Sequence, residues 1–342
     1  MKWMCIPVLL IGFAACNNQE GPDVSGVPVN MKVHRFEQFL FENLDTNNIQ
    51  SGLEAMKGSY PFFANDFIIN ILGLPYGPVS NTDTTGEIVS RELKRFIRLT
   101  SPLYDSLAPR FKETNKMENE LRRGFQHVKY YFPAYQVPEV VTYIGPFDAP
   151  AVAVTTSALA IGLQLYAGKN FSFYTSMQGQ ELYPAYISRR FEPEYITVNA
   201  MTAVVEDIYP FQVVGKPMIE QMIMKGKQWW LLDKFLPGVS DTLKTGYTSK
   251  QAAWCEGNEG VVWNFFLQNN DLYTTEPMIV KNFIGEAPGT DGMPAQAPGN
   301  IGQWIGWQIV EAYAATHPEM TPDAVMKVDP KIILKESKYK PR

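Results

Sequence analysis

Histidine is the scarcest chemistry-bearing residue here: three in 342 residues, at His34, His127 and His317. No two lie one helical turn apart, so the chain holds no His-Glu-x-x-His zinc pattern. Three histidines still leave room for a nucleophilic site, because its partners meet in space and not in sequence. No nucleophile is marked, however: Gly-x-Ser-x-Gly and the phosphate-binding glycine loop are both missing. Cysteine is equally sparse, with Cys5, Cys16 and Cys255 only. A formal net charge of −5 without a basic stripe argues against a nucleic-acid partner. No repeat and no low-complexity block interrupts the chain. Beyond the N-terminus no apolar run is long enough to cross a bilayer.

What is present begins with an export signal. Met1-Lys2 is a short basic start, Ile6 to Phe13 is apolar, and Ala14-Ala15-Cys16 follows. The run is too short for a stable span but suits a secretory signal. Cysteine directly after two alanines resembles a lipobox, which implies cleavage before Cys16 and lipid on its thiol and amine. The alternative is an ordinary signal peptide in which Cys16 is incidental. With Cys5 removed and Cys16 lipidated, Cys255 has no partner, so the core alone must stabilise the exported body. The expected organisation is a signal peptide over 1–15, a flexible tether over 16–30 containing Gly21, Pro22, Gly26 and Pro28, and one globular domain over 31–342.

Forty-five per cent hydrophobic and 13% aromatic residues fit a packed body. Helical stripes dominate. Val33 to Phe41 reads as a strand-to-helix opening and Ile49 to Lys57 as a helix. Another apolar helix starts at Tyr60 and runs to Leu72, and Pro78 to Gly86 is a polar loop. Glu87 to Phe111 reads as helical pieces broken at Pro102 and Pro109. Met117, Leu121, Phe125 and Val128 share one face of a helix, with His127 beside them, placed to meet free carbonyls at the helix end. Val140 to Ile144 and Ala151 to Thr155 are β-runs, expected as a hairpin or two strands of a small sheet. Ser157 to Tyr166 is a short helix or an apolar strand. Ser249 to Phe266 reads as one helix whose apolar stripe includes Glu259. Gly285 to Gly299 is a long Gly/Pro loop. Ile301 to Tyr313 is a strong helix, in which Gly302 and Gly306 allow close packing. Thr321 to Ala324 begins a final short helix, and the basic tail from Lys335 is expected to be solvated and poorly ordered.

The centre of this pattern is a helix pair between Asn199 and Pro237. Met201, Val204, Val205 and Ile208 form one stripe; Ile219, Met222, Ile223, Gly226, Trp229, Trp230 and Asp233 form the other. Pro210 and Gly215-Lys216-Pro217 separate them. The expected fold is therefore mainly α with a small β-sheet (α+β). Cys255 lies on an apolar face and reads as a packed thiol, and Trp229-Trp230 as core.

Several segments resemble the gliding-motility lipoprotein GldB family. They are the Cys16 lipobox, His34-Arg35-Phe36-Glu37, Pro138-Glu139-Val140-Val141-Thr142-Tyr143-Ile144, Ser188-Arg189-Arg190-Phe191-Glu192-Pro193-Glu194-Tyr195-Ile196, Leu232-Asp233-Lys234-Phe235-Leu236-Pro237, and Pro298-Gly299-Asn300-Ile301-Gly302-Gln303-Trp304-Ile305-Gly306-Trp307-Gln308-Ile309-Val310. The resemblance implies a membrane lipoprotein of the cell envelope, needed for surface gliding or linked to type IX secretion, with no known reaction. The family layout is similar in turn to predicted zinc proteases, which implies a degenerate zincin-like domain. On that comparison Glu206 matches the water-activating glutamate, while Val205 and Tyr209 stand where the two histidines would be. Lys225, before Gly226, stands where a third, acidic ligand is expected.

These residues lead to a non-catalytic, lipid-anchored envelope component without metal or cofactor. Its partners are the membrane and envelope proteins, and its binding surface uses the helix pair and the Gly/Pro loop. Two alternatives stay open: a hydrolase, metal-dependent or not, using Glu206, and a surface glycan- or peptide-binding lipoprotein. The membrane leaflet is open as well.

Overall fold

A computed structural model of the chain describes residues 21–75, 85–269 and 271–341. The signal peptide and Cys16 lie outside the described residues, as does most of the loop expected over Pro78 to Gly86. Short β-rich runs make the centre: β1 (Val33–Arg35), β2 (Glu139–Tyr143), β3 (Val152–Val154) and β4 (Ala158–Gly162). They form one four-stranded sheet in the order β1-β2-β4-β3. β1 and β4 both run parallel to β2, and β3 is antiparallel to β4 at the edge, with Val152 opposite Ile161. Side chains alternate across a strand, and the alternation divides the core. Val33, Val140, Leu159 and Ile161 face one apolar cluster. Val141, Tyr143, Ala158 and Ala160 face another, shared with Phe36, Phe63 and Phe67.

Helices cover both faces. The longer ones are α1 (Ile49–Ser59), α2 (Thr85–Leu107), α3 (Asn115–Tyr131), α4 (Ile196–Ile208), α5 (Met218–Phe235), α6 (Ser249–Gly257), α7 (Glu259–Gln268), α8 (Pro277–Ile284), α9 (Ile301–Thr316), α10 (Pro322–Lys327) and α11 (Pro330–Glu336). The protein is thus mainly helical with a small mixed sheet, the α+β class expected; nothing in this architecture adds support for the zincin-like reading. The expected stripes bury their apolar members: Met201, Val204 and Val205 on α4, and Ile219, Met222 and Ile223 on α5. Trp229 and Trp230 are core residues. Cys255 is buried, and burial pushes its thiol up to about 12.

The closest approach in the body is α5 against α9. A Cβ on Gly306 would stand 1.8 Å from the Met222 carbonyl oxygen, and one on Gly226 only 2.1 Å from the Gly306 carbonyl carbon. Hydrogen at these two positions is what lets the backbones touch.

Several expectations need correction. Of the two arrangements expected for the β-runs, two strands of one small sheet is the one found, and the hairpin is not: β4 lies between β2 and β3, and β3 pairs with β4. Pro102 does not break its helix, because α2 continues through it to Leu107. Proline removes one helical hydrogen bond, while Leu93, Ile97, Tyr104 and Leu107 stay buried on both sides of it. The helix expected from Ser249 to Phe266 divides at Asn258 into α6 and α7. The tail docks: the Tyr339 hydroxyl donates to Glu259 at 2.7 Å and its ring meets Trp263 edge-on. This accounts for the carboxylate in the apolar stripe of α7. Part of the stretch read as a tether also packs, with Val24 buried and the Gln126 amide donating to the Val27 carbonyl at 3.1 Å. Neither ring nitrogen of His127 has a hydrogen-bond partner, so it does not cap its helix.

Two outcomes follow for stability. Gly306→Ala should destabilise the body by about 3 kcal/mol in denaturant unfolding, the upper end for overpacking, since both clashing groups are backbone. Lys227 is 6% exposed and donates to the Met326 carbonyl at 2.9 Å and to the Val328 carbonyl. Burial pushes its ammonium down to about 8 from the ordinary 10.5. The unfolded chain therefore binds the proton more tightly between those values, and stability rises with pH across that window. Lys227→Met should remove that rise; identical pH profiles for the two proteins would refute it.

Candidate binding cleft

Two cavities of about 350 and 300 Å³ adjoin to form one cleft. They share Arg190, Thr245, Gly246, Glu286 and Asn300. The walls come from the segment after Ala185–Ser188, from α4 and α5, from the start of α6, from the Gly/Pro loop and from the start of α9. At the waist Arg190 grips Glu286 with both guanidinium nitrogens, at 2.9 and 3.3 Å. Asn300 adds a third bond to Glu286 at 3.1 Å. Asn300 holds a left-handed φ of 57° at the head of α9, where asparagine is tolerated better than most residues.

The long Gly/Pro loop is secured at several points. Thr290 donates to the Pro298 carbonyl at 2.6 Å, and the Tyr247 hydroxyl donates to the Gly299 carbonyl at 3.0 Å. A Cβ on Gly299 would stand 2.4 Å from the Ala287 carbonyl oxygen, so the two limbs of the loop touch. The loop is a fixed wall.

Positive charge inside the cleft is unevenly answered. Lys225 lies 3.7 Å from Glu206, 3.1 Å from the Gln228 amide oxygen and 4.2 Å over the Phe211 ring. Burial pushes its ammonium down, and Glu206 opposes that. Lys244 is held by Asp233 at 2.5 Å and Asp241 at 2.8 Å. Arg189 is different: it donates to the Gly246 carbonyl at 2.5 Å, and among the described residues it forms no ion pair. Burial, then the neighbouring Arg190, pulls its pKa down. Arg189 is a half-buried cation facing a cavity that also contains Lys250, Gln251 and Trp254.

The residues named from sequence divide between cleft and core. Val205, Glu206 and Lys225 line the cleft. Tyr209 turns to α10, where its hydroxyl donates to Asp323 at 2.5 Å. Gly226 serves the crossing with α9. The histidines do not converge: His34 pairs with Glu139 at 2.9 Å, and His317 stacks on Tyr313 and lies 3.7 Å from Glu336. Among the described residues no three His, Cys, Asp or Glu side chains are grouped to hold a metal. Sequence reasoning missed Arg190–Glu286–Asn300 as a unit. The adjacent arginines and the asparagine of Pro298-Gly299-Asn300 were visible, but their partner stands 96 residues from Arg190. Glu37 of the first motif is buried, bound by Arg35 at 2.5 Å and Thr142 at 2.7 Å, and burial raises its pKa. It joins β1 to β2 and takes no part in the cleft.

Asn300→Ala should cost about 1–2 kcal/mol, because alanine adopts the left-handed region poorly and the bond to Glu286 is lost. Asn300→Gly should cost less, since glycine takes that φ without strain. Thermal unfolding of the two variants checks the order.

No curated protein and no solved structure matches the chain. The motifs themselves meet at this site: Arg189, Arg190, Asn300 and Gln303 all come from segments named above for their resemblance. The family model described as gliding motility protein GldB matches residues 17–341, nearly the whole chain, and the protein belongs to that family.

Proposed function

We propose that this GldB-family protein is a lipid-anchored, non-catalytic component of the gliding apparatus and its type IX secretion machinery, holding an envelope protein partner at the cleft. The observation that carries the reading is the Lys225–Glu206 pair. In a zinc hydrolase the corresponding glutamate faces a metal-bound water and activates it. Here its neighbour is an ammonium at 3.7 Å. An ammonium at that point repels a divalent ion and pairs with the half-exposed carboxylate. Val205 offers no ligand atom, and the Tyr209 hydroxyl is engaged with Asp323. What the cleft retains is binding character: fixed walls and an arginine that has no carboxylate partner among the described residues. Such a site suits a partner segment that brings a carboxylate or carbonyl groups.

The lipid anchor is part of the same proposal. The family match starts one residue past Cys16, and no helix among the described residues is long and apolar enough to cross a membrane. On this reading lipid on Cys16 supplies the attachment, close in sequence to the packed residue Val24.

The test is complementation in a gliding host that lacks its own copy. Wild-type protein and Glu206→Gln should restore surface spreading equally, and neither should carry zinc when purified without chelator. Cys16→Ala should leave the membrane fraction and fail to restore spreading, and Arg189→Glu should fold and localise normally yet restore poorly. A folded Glu206→Gln protein that cannot support spreading, or zinc near one per chain, would overturn the non-catalytic reading.

A further inference from the structure

The chain joins its packed body only a few residues after the proposed lipid. A Cβ on Gly21 would stand 2.8 Å from the Pro237 side chain and 3.6 Å from the His127 ring. Gly21 therefore lies against the loop that follows α5 and against the end of α3. The packing continues along the chain from there. Val24 is buried, the Gln126 amide donates to the Val27 carbonyl at 3.1 Å, and Arg122 donates to the Met31 carbonyl at 3.2 Å. Arg122 and Gln126 stand one turn apart, so these bonds tie the entering segment to one side of α3. Cys16 is five positions before Gly21. Even fully extended, five peptide units span at most about 18 Å.

A leash of that length is short beside the body it holds, since a compact chain of this size is about 50 Å across. The 18 residues of α5 alone span about 27 Å, and α5 begins at the end remote from Pro237. Val214, fully exposed, stands just before that beginning, and the exposed Tyr273 borders a cavity with Pro217 there. With lipid on Cys16 in a bilayer, the leash is too short for this end to turn toward the membrane. The side chains around the cavities next to Pro237 carry both signs, Lys116, Arg123 and Lys234 with Glu120, Glu194 and Asp241. Charge does not choose the orientation there; chain length does. We propose that the face formed by Gly21, the loop at 237–239 and the adjoining side of α3 is apposed to a lipid bilayer, with the Val214 end of α5 directed away from it. The inference rests on the Cys16 anchor proposed above and adds its geometry. It also places the cleft. Val198 and Leu243 border both the cleft and a cavity at Pro237, and Lys244 borders both the cleft and the cavity that Gly21 lines. The cleft thus begins at the margin of the bilayer-facing side, and a partner meets it close to the membrane surface.

The experiment uses the full chain, processed and lipidated in a bacterial host and reconstituted in phosphatidylcholine vesicles that carry an energy-transfer acceptor on the lipid headgroup. Arg123→Cys and Val214→Cys place a donor dye at exposed positions on the two sides. Cys5 leaves with the signal peptide, Cys16 is acylated and Cys255 is buried, so the introduced thiol is the one that reacts. Transfer falls steeply with distance and should be several-fold stronger from position 123 than from position 214. A Gly/Ser insertion of about 25 residues after Asn18 adds a flexible leash of about 27 Å r.m.s.. It should remove most of that difference while the protein stays on the vesicles. Protein that stays off the vesicles, with Cys16 unmodified by mass, overturns the anchor and this proposal with it. Vesicle-bound protein that transfers equally from both positions overturns this proposal alone, and so does a difference that the insertion leaves undiminished.

Discussion

The contact between α5 and α9 is the constraint on which the rest of the structure depends. Two glycines, Gly226 and Gly306, bring backbone against backbone where any side chain would collide with the Met222 or Gly306 carbonyl group. That approach places Lys225 and Gln228 of α5 on the same cleft surface as Gln303 of α9. It also fixes the head of α9, from which Asn300 reaches Glu286 and completes the waist. A wider crossing would separate these groups and open the floor of the cleft. Close packing at glycine is thus a structural device with a functional result, although neither glycine touches the cleft.

Electrostatics then decide what the cleft is suited to do. Cations predominate along it, and most are answered: Lys225 by Glu206, Lys244 by Asp233 and Asp241, Arg190 by Glu286. Each pairing removes a carboxylate that general-base or metal chemistry would need free. Arg189 remains the half-buried cation without an ion pair among the described residues, and its lowered pKa reflects the cost of burying charge without an opposite partner. This distribution is the ground for the proposal of recognition at the cleft.

Legibility in the sequence followed distance along the chain. The stripes of α4, α5 and α9 repeat every three or four residues, so their apolar faces are legible in the sequence. The strand-to-helix start at Val33 was legible for the same reason, and so was the close-packing role of Gly302 and Gly306. Errors arose where the deciding partner is remote. β4 inserts between β2 and β3 because strand order depends on pairing and not on adjacency. Pro102 stays helical because packing on both sides outweighs one lost bond. The tail is ordered because Tyr339 meets Glu259, 80 residues away, and His127 looked like a cap because only the folded core shows that no carbonyl reaches it.

By itself the sequence determined the α+β class, the apolar faces and the family, since these depend on local periodicity and on motifs that keep their order along the chain. It also contained the glycines that make the helix crossing possible. Only the tertiary structure decided which motif residues share a site. Arg190, Glu286 and Asn300 meet because the crossing and the fixed loop bring distant backbone together, and Tyr209 leaves the site because Asp323 draws its hydroxyl away. Ion pairing and burial are properties of positions in space, and a linear chain does not carry those positions until packing has set them.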